Sequence, residues 1–136
     1  MGTVDMIDWS QYPNFSEDEF RCRCCGKADM DPLFMKKLQE ARTELGFAFP
    51  VSSGYRCPDY NEKISTTGRS GPHTTGHAAD IAVSGNRARR VIGTSDLLGF
   101  TGLGAKQHGP YEKRFVHLDD LQPHQHMPRP HTWTYP

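Results

Sequence analysis

The clearest pattern of apolar and polar positions lies in the segment DPLFMKKLQEARTELG, residues 31–46. Its apolar residues recur at helical spacing, Asp31 and Pro32 stand where an N-cap and a first turn belong, and Gly46 follows the last repeat. The segment therefore predicts one amphipathic helix, whose apolar face is made of Leu33, Phe34, Leu38, Ala41 and Leu45.

Shorter patterns on both sides of this helix complete the predicted fold. Before it, NFSEDEF predicts a helix start in which Ser16 and Glu19 form a capping box. After it, the Gly-, Ser- and Thr-rich residues 58–77 predict a long loop with one helical turn at PDYNEKI. Strands are predicted at 47–56, 77–83, 100–105 and 114–120, and a further helix at 86–99. This order predicts an α+β fold with a small, mostly antiparallel sheet and flanking helices.

Length and charge narrow the class of protein. The 136 residues suit a single domain over 1–136, with an N-terminal arm at 1–14 and an irregular C-terminal tail at 121–136. Sixteen basic and sixteen acidic side chains cancel, which argues against a nucleic-acid partner. The apolar runs are too short for a membrane span, and the first residues do not resemble a Sec signal peptide. We expect a monomer.

Candidate chemistry begins in SGPHTTGHAADIAV, residues 70–83, where His73 precedes Asp80 in a predicted strand. A strand disfavours aspartate, and a buried carboxylate needs a charged partner or a cation. Strand alternation in RFVHLDD places His117 and Asp119 on one face. Two imidazoles and one carboxylate leave a fourth zinc position open, as in catalytic sites. The alternative is a core histidine, His117, hydrogen-bonded to Asp119.

Four cysteines form a second candidate group. Cys22, Cys24 and Cys25 lie in the run RCRCCG, and Cys57 follows SGYR. Four thiols suit a structural zinc site, although C-x-C-C lacks the two-residue gap usual in such sites. A disulfide from the run to Cys57 and reduced structural thiols are equally compatible with the spacing.

Three motifs in this order, SGYRCPDYN, SGPHTTGHAADI and RFVHLDD, resemble the zinc D-Ala-D-Ala carboxypeptidase family, which includes VanY-like enzymes and phage L-alanoyl-D-glutamate endopeptidases. The resemblance covers about residues 15–135, including the closing HTWTY. It implies a hedgehog/DD-peptidase-like fold, one Zn²⁺ per chain and a peptidoglycan stem peptide as substrate. It also implies a cell-wall-lytic enzyme, such as a phage lysin or a virion-associated enzyme, that cuts at D-Ala-D-Ala or at L-Ala-D-Glu.

The resemblance assigns residues by motif. His73, Asp80 and His117 match the three zinc ligands, and Arg56 matches an arginine that faces the substrate and stabilises the transition state. Asn61 matches a motif asparagine that we expect to hold the loop.

Two further positions near the first histidine are read from the same motif. His77 stands where the motif is open, so we predict a rim residue there. Gly71 stands where relatives often have serine, so a hydrogen bond from that serine is not expected.

The general base has two candidates. Asp119 is the first choice because strand alternation places it beside His117, although it also suits a residue that orients His117. Glu112 is the second, since Arg114 at the position three before His117 excludes the E-x-x-H form found in some relatives.

Two alternative functions accompany the peptidase prediction. One is a non-catalytic binding module stabilised by zinc on the same fold, which hedgehog signalling domains also resemble. The other is metal binding by His124, His126 and His131 in the proline-rich tail, where a solvated tail is the simpler interpretation.

Overall fold

The computed structural model of this chain describes residues 7–124 and 126–136. These residues form three α-helices, α1 Pro32–Leu45, α2 Pro58–Ile64 and α3 Gly85–Thr94. They also form five strands, β1 Val51–Ser53, β2 Ala78–Ile81, β3 Gly102–Lys106, β4 Phe115–Asp119 and β5 His131–Thr134. Short 3-10 helices occupy Trp9–Gln11, Glu17–Phe20, Gly68–Ser70, Pro72–Thr75 and Tyr111–Lys113. Of the predicted N-terminal arm, residues 1–6 lie outside the described residues.

The five strands form one open sheet in the order β1-β2-β4-β3-β5. β1 pairs with β2, β2 with β4 and β4 with β3, all antiparallel, whereas β3 and β5 are parallel. The predicted α+β fold with a small, mostly antiparallel sheet is confirmed. Among the described residues, every helix is too short or too polar to cross a bilayer.

The C-terminal tail differs from its prediction, because residues 131–134 form the edge strand β5. In β5, Trp133 pairs with Gly104 of β3. The short segment HTWT lies in a proline-rich sequence, and its partner strand is distant along the chain, so no local pattern reveals it.

Helix α1 has the predicted bounds because its ends carry strong signals. The Asp31 carboxylate accepts a hydrogen bond from the Phe34 N–H at 2.9 Å, and Gly46 ends the helix in the left-handed conformation with φ 75°. The buried face comprises Phe34, Met35, Leu38, Ala41 and Leu45. The prediction for Leu33 is wrong, because this side chain is 68% exposed and Met35 is buried in its place.

The N-terminal segment packs against the body through Phe20, which is fully buried. The Ser16 N–H donates to the Glu19 carboxylate at 2.9 Å, as a capping box requires, but it begins a 3-10 helix of four residues. The rings of Trp9 and Phe15 contact Phe20, with centroid distances of 5.4 and 5.7 Å. Residues 7–14 are thus part of the packed domain.

The register of the inner strands determines which side chains share the polar face of the sheet. Asp80 of β2 lies opposite His117 of β4, which in turn lies opposite Gly104 of β3. The alternate positions of the same strands, Ala79, Ile81, Leu103, Val116 and Leu118, belong to the hydrophobic core. One face of the sheet therefore packs on the helices, and the other carries ionisable groups.

The close approach of β5 to β3 predicts the effect of a single added methyl group. A Cβ at Gly104 would lie 2.6 Å from Nε1 of Trp133 and 2.8 Å from the Tyr135 hydroxyl. We expect Gly104→Ala to lower the free energy of unfolding by about 1–3 kcal/mol, measured by urea denaturation. Gly93→Ala in α3 is the matched control, because its Cβ would meet no atom within 4 Å. A Gly104→Ala chain as stable as wild type would contradict this packing.

Candidate metal centre

Three segments of the chain converge on one buried point. His73 lies in the 3-10 helix after Gly71, Asp80 in β2 and His117 in β4. One ligand atom from each lies within 4.8 Å of the others. All three residues are buried, with 5%, 5% and 2% of their surface exposed. The structure thus brings together the three residues that the sequence motifs single out, which we call the metal triad.

The two histidines present opposite ring nitrogens to Asp80. Nδ1 of His73 lies 2.8 Å from the Gly54 carbonyl oxygen, which can only accept, so Nδ1 carries the proton and Nε2 is left with a lone pair. That Nε2 lies 3.3 Å from Oδ1 of Asp80. His117 instead directs Nδ1 at the same Oδ1, at 3.0 Å. Two nitrogens and one carboxylate oxygen therefore face a common point.

The donor set suits a zinc ion. Burial alone would raise the pKa of Asp80, but His73 and His117 lower it, so the carboxylate is ionised in the interior. A buried anion between two imidazoles attracts a cation. Three protein ligands of type His, His and Asp also leave one tetrahedral position for solvent or substrate, as catalytic zinc sites require.

Asp119 lies on the far side of His117 from Asp80. Its Oδ2 is 2.8 Å from Nε2 of His117 and 2.8 Å from Nη2 of Arg129, and its Oδ1 accepts from Nε of Arg129 at 2.9 Å. Burial raises the pKa of Asp119, but the hydrogen bonds from His117 and Arg129 lower it to about 2. Both oxygens are engaged by His117 and Arg129, on the side of the His117 ring that faces away from Asp80, and the general-base role of Asp119 stays a prediction. This geometry matches the alternative, a carboxylate that orients the histidine.

Arg56 lies at the edge of the triad. Its Nη2 is 3.5 Å from Oδ2 of Asp80, while Nε donates to the Ser53 hydroxyl at 3.0 Å and Nη1 to the Asn61 side chain at 3.1 Å. The Arg56 N–H also donates to the His73 carbonyl at 3.1 Å. The guanidinium is therefore held in place beside the triad by three neighbouring segments.

Asn61 is fully buried and holds the loop, in agreement with its predicted role. Its Nδ2 donates to the Thr67 hydroxyl at 2.8 Å and to the Gly68 carbonyl at 2.6 Å. A Cβ at Gly71 would contact the Thr67 hydroxyl and lie 2.7 Å from Nδ2 of Asn61. This crowding leaves no room for a side chain at Gly71.

Two surface hollows meet at the triad. Arg56, Asp80 and Tyr135 line both, one hollow continuing past Glu112 and the other past Trp133. Glu112 lies in the 3-10 helix Tyr111–Lys113 and is exposed. Of the two candidate bases, only Glu112 lines a hollow that also contains Arg56 and Asp80.

The C-terminal segment contributes three residues that the motifs did not assign. Arg129 pairs with Asp119, and the Trp133 ring lies against His117 with centroids 5.1 Å apart. Burial and the nearby Asp80 charge raise the pKa of Tyr135 to about 12, so its hydroxyl stays protonated. The aromatic HTWTY was the available signal for Trp133 and Tyr135, whereas no sequence signal singles out Arg129.

The other histidines are not members of the triad, although His126 and His131 line the same hollow as His73 and His117. His77 bridges two acids, with Nδ1 at 2.8 Å from Asp120 and Nε2 at 3.7 Å from Asp31. Lys37 already neutralises Asp120 at 2.9 Å, so this cluster resembles an ion-pair network. Among the described residues, the groups that could hold a metal do not include the tail histidines His124, His126 and His131.

A comparison with known protein families agrees with this geometry. Comparison with curated proteins gives no match. Residues 13–119 match the family model described as Peptidase M15. The match spans most of the 136 residues and contains the whole triad and Arg56. The predicted family and the predicted enzyme class are confirmed, in preference to a non-catalytic module, and the chain belongs to the Peptidase M15 family of zinc metallopeptidases.

Proposed function

We propose that this zinc metallopeptidase hydrolyses peptidoglycan stem peptides, with His73, Asp80 and His117 as the ligands of one zinc ion. The observation that carries the proposal is the convergence of three buried donor atoms within 4.8 Å, beside Arg56. Arg56 lines both hollows, which together we call the groove. The family supports a peptidase acting on peptidoglycan, and the motifs support these residues as its site.

The choice of bond rests on the two hollows. A carboxypeptidase needs room for only one terminal residue beyond the scissile bond, whereas an endopeptidase must bind peptide on both sides. Because hollows extend in two directions from Arg56 and Asp80, we propose internal cleavage, at L-Ala-D-Glu, as the main activity. The first hollow is lined by more basic than acidic side chains, and this excess suits a substrate rich in carboxylates; the basic ones are Arg21, Arg23, Arg56, Lys106, Lys113 and Arg114, and the acidic ones are Asp18, Glu19, Asp80 and Glu112.

When held by His73, Asp80 and His117, a zinc ion would supply Lewis-acid polarisation of the scissile carbonyl and would lower the pKa of water. Arg56 offsets the negative charge that develops on the carbonyl oxygen, a contribution of about 3–4 kcal/mol for comparable donors. Its ties to Ser53 and Asn61 fix the guanidinium before substrate binds, so little reorganisation is needed.

Glu112 is the proposed general base, and Asp119 a positioning residue. Glu112 is exposed on the groove wall, where it can take a proton from water and pass it to the leaving amine. Asp119 fixes the ring of His117 so that Nδ1 points at Asp80. Arg129 keeps the Asp119 carboxylate ionised.

The first prediction concerns the ligands. We expect Asp80→Ala and His117→Ala to remove the zinc ion of the metal triad and to lower hydrolysis of purified stem peptides at least about 10³-fold, because the carbonyl loses its electrophilic partner. Zinc is measured by elemental mass spectrometry and products by peptide mass spectrometry. His124→Ala, an exposed tail histidine, is the matched control and should change neither.

In the same experiment, the masses of the products identify which peptide bond is cut. Separation of L-Ala from the D-Glu segment supports internal cleavage, and release of terminal D-Ala alone would replace it with carboxypeptidase activity. If the wild-type chain binds its full amount of zinc but leaves the stem peptides uncut, the proposed substrate is wrong.

The second prediction concerns the base. We expect Glu112→Gln to lower kcat about 10²–10⁴-fold while zinc content is unchanged, since a proton acceptor is lost but no ligand is. Glu44→Gln, an exposed change on α1, is the control. Full activity in Glu112→Gln would rule out Glu112.

The third prediction concerns Asp119. We expect Asp119→Asn to weaken zinc affinity about 10–100-fold, because His117 loses the carboxylate that orients its ring. Saturating zinc should restore most of the turnover, and competition with a chelator measures the affinity. A zinc-saturated Asp119→Asn chain without turnover would instead favour Asp119 as the base.

A further inference from the structure

A second group of potential metal ligands lies outside the metal triad, beside the first hollow, which Cys22 lines. The sulfurs of Cys22, Cys25 and Cys57 lie within 4.8 Å of one another, although Cys57 is far away along the chain. Cys24 lies between Cys22 and Cys25 in the chain, and its exposed side chain offers a fourth sulfur. We call these four residues the thiol cluster.

The backbone makes a tight turn from Cys22 to Lys27, which directs the cysteine sulfurs of the turn toward one point. Gly26 adopts φ 76°, its N–H donates to the Cys22 carbonyl at 2.9 Å, and the Cys22 N–H donates to the Lys27 carbonyl at 2.7 Å. The turn brings Cys22 and Cys25 together. These two have the C-x-x-C spacing of structural zinc sites, which the intervening Cys24 hides in the sequence.

The Cys22 sulfur has the surroundings of a thiolate. It is buried, with the residue 3% exposed, and it accepts hydrogen bonds from the N–H groups of Cys24 at 3.4 Å and Cys57 at 3.3 Å. Hydrogen bonds to sulfur favour its charged form, which is the form that binds metal.

The charge around the cluster suits a metal thiolate. Four thiolates around Zn²⁺ carry a net charge of about −2, and neighbouring cations can balance it. Arg21, Arg23 and Lys27 flank the cysteine run in sequence. The charge of Lys63 from α2 also acts on Cys24. Four thiolate ligands favour zinc over harder divalent cations.

We propose that Cys22, Cys24, Cys25 and Cys57 bind a second zinc ion, with a structural role. Four protein ligands leave no position for substrate, so this ion does no chemistry. It joins the 21–26 turn to Cys57, the residue directly after Arg56, and thereby fixes one wall of the groove. The bond between these distant segments also contributes to the stability of the folded chain.

Zinc content of the full chain tests the proposal. Purified under reducing conditions, the wild type should hold about two zinc ions per chain, and Asp80→Ala and Cys25→Ser about one each. The double variant should hold none. Lys36→Ser is the control, because it changes an exposed side chain on α1 that belongs to neither site, and it should retain both ions.

Cobalt substitution of the wild-type chain gives a second readout that needs no cysteine variant. Thiolate–Co²⁺ bonds absorb in the near ultraviolet, whereas the metal triad contains no sulfur. We expect this absorption in wild type and in Asp80→Ala, and its loss in Cys25→Ser. The two proposals can therefore be disproved separately. Hydrolysis tests only the peptidase site, and thiolate–cobalt absorption tests only the thiol cluster.

Thiol chemistry identifies the competing states. In the zinc-loaded chain, all four thiols should resist a thiol reagent until a strong chelator is added. Four thiols that react at once, without thiolate–cobalt absorption, would overturn the proposal in favour of reduced thiols. A chain that shows no reactive thiols after chelation but gains them with reductant would overturn it in favour of disulfides.

Discussion

The metal triad depends on the antiparallel register between β2 and β4. This register places Asp80 directly opposite His117, and it is fixed from the other side of the sheet, where Ala79, Ile81 and Val116 enter the hydrophobic core. A slip of one residue would turn Asp80 toward the core and an apolar side chain toward the site. The same apolar contacts that stabilise the domain therefore determine the geometry of the ligands.

A series of hydrogen-bonded polar groups runs outward from this point through the interior. The triad carries the Asp80 carboxylate, His117 separates it from Asp119, and Arg129 closes the series. Each buried ion has a partner of opposite sign or a polar hydrogen, and removal of one partner from such a pair typically costs about 3–5 kcal/mol. The C-terminal segment is thus part of the electrostatic design of the site.

Local patterns predicted much of this structure, because their signals are short-range. Caps and periodicity gave α1, and motif order with strand alternation identified the triad residues that the fold brings together. Alternation determines the face on which Asp119 lies, but it does not determine which nitrogen of His117 the carboxylate meets. The pairing of Arg129 with Asp119 was also beyond prediction, since it depends on a tertiary contact made by a proline-rich segment.

The triad and the groove walls belong to different kinds of structure. Asp80 and His117 lie on the neighbouring inner strands β2 and β4, whereas Arg56 and Glu112 lie on connecting segments at the surface. Connecting segments tolerate substitution and insertion far better than central strands. Substitutions in these loops can therefore change which peptide such an enzyme binds, while the residues of the metal triad stay the same.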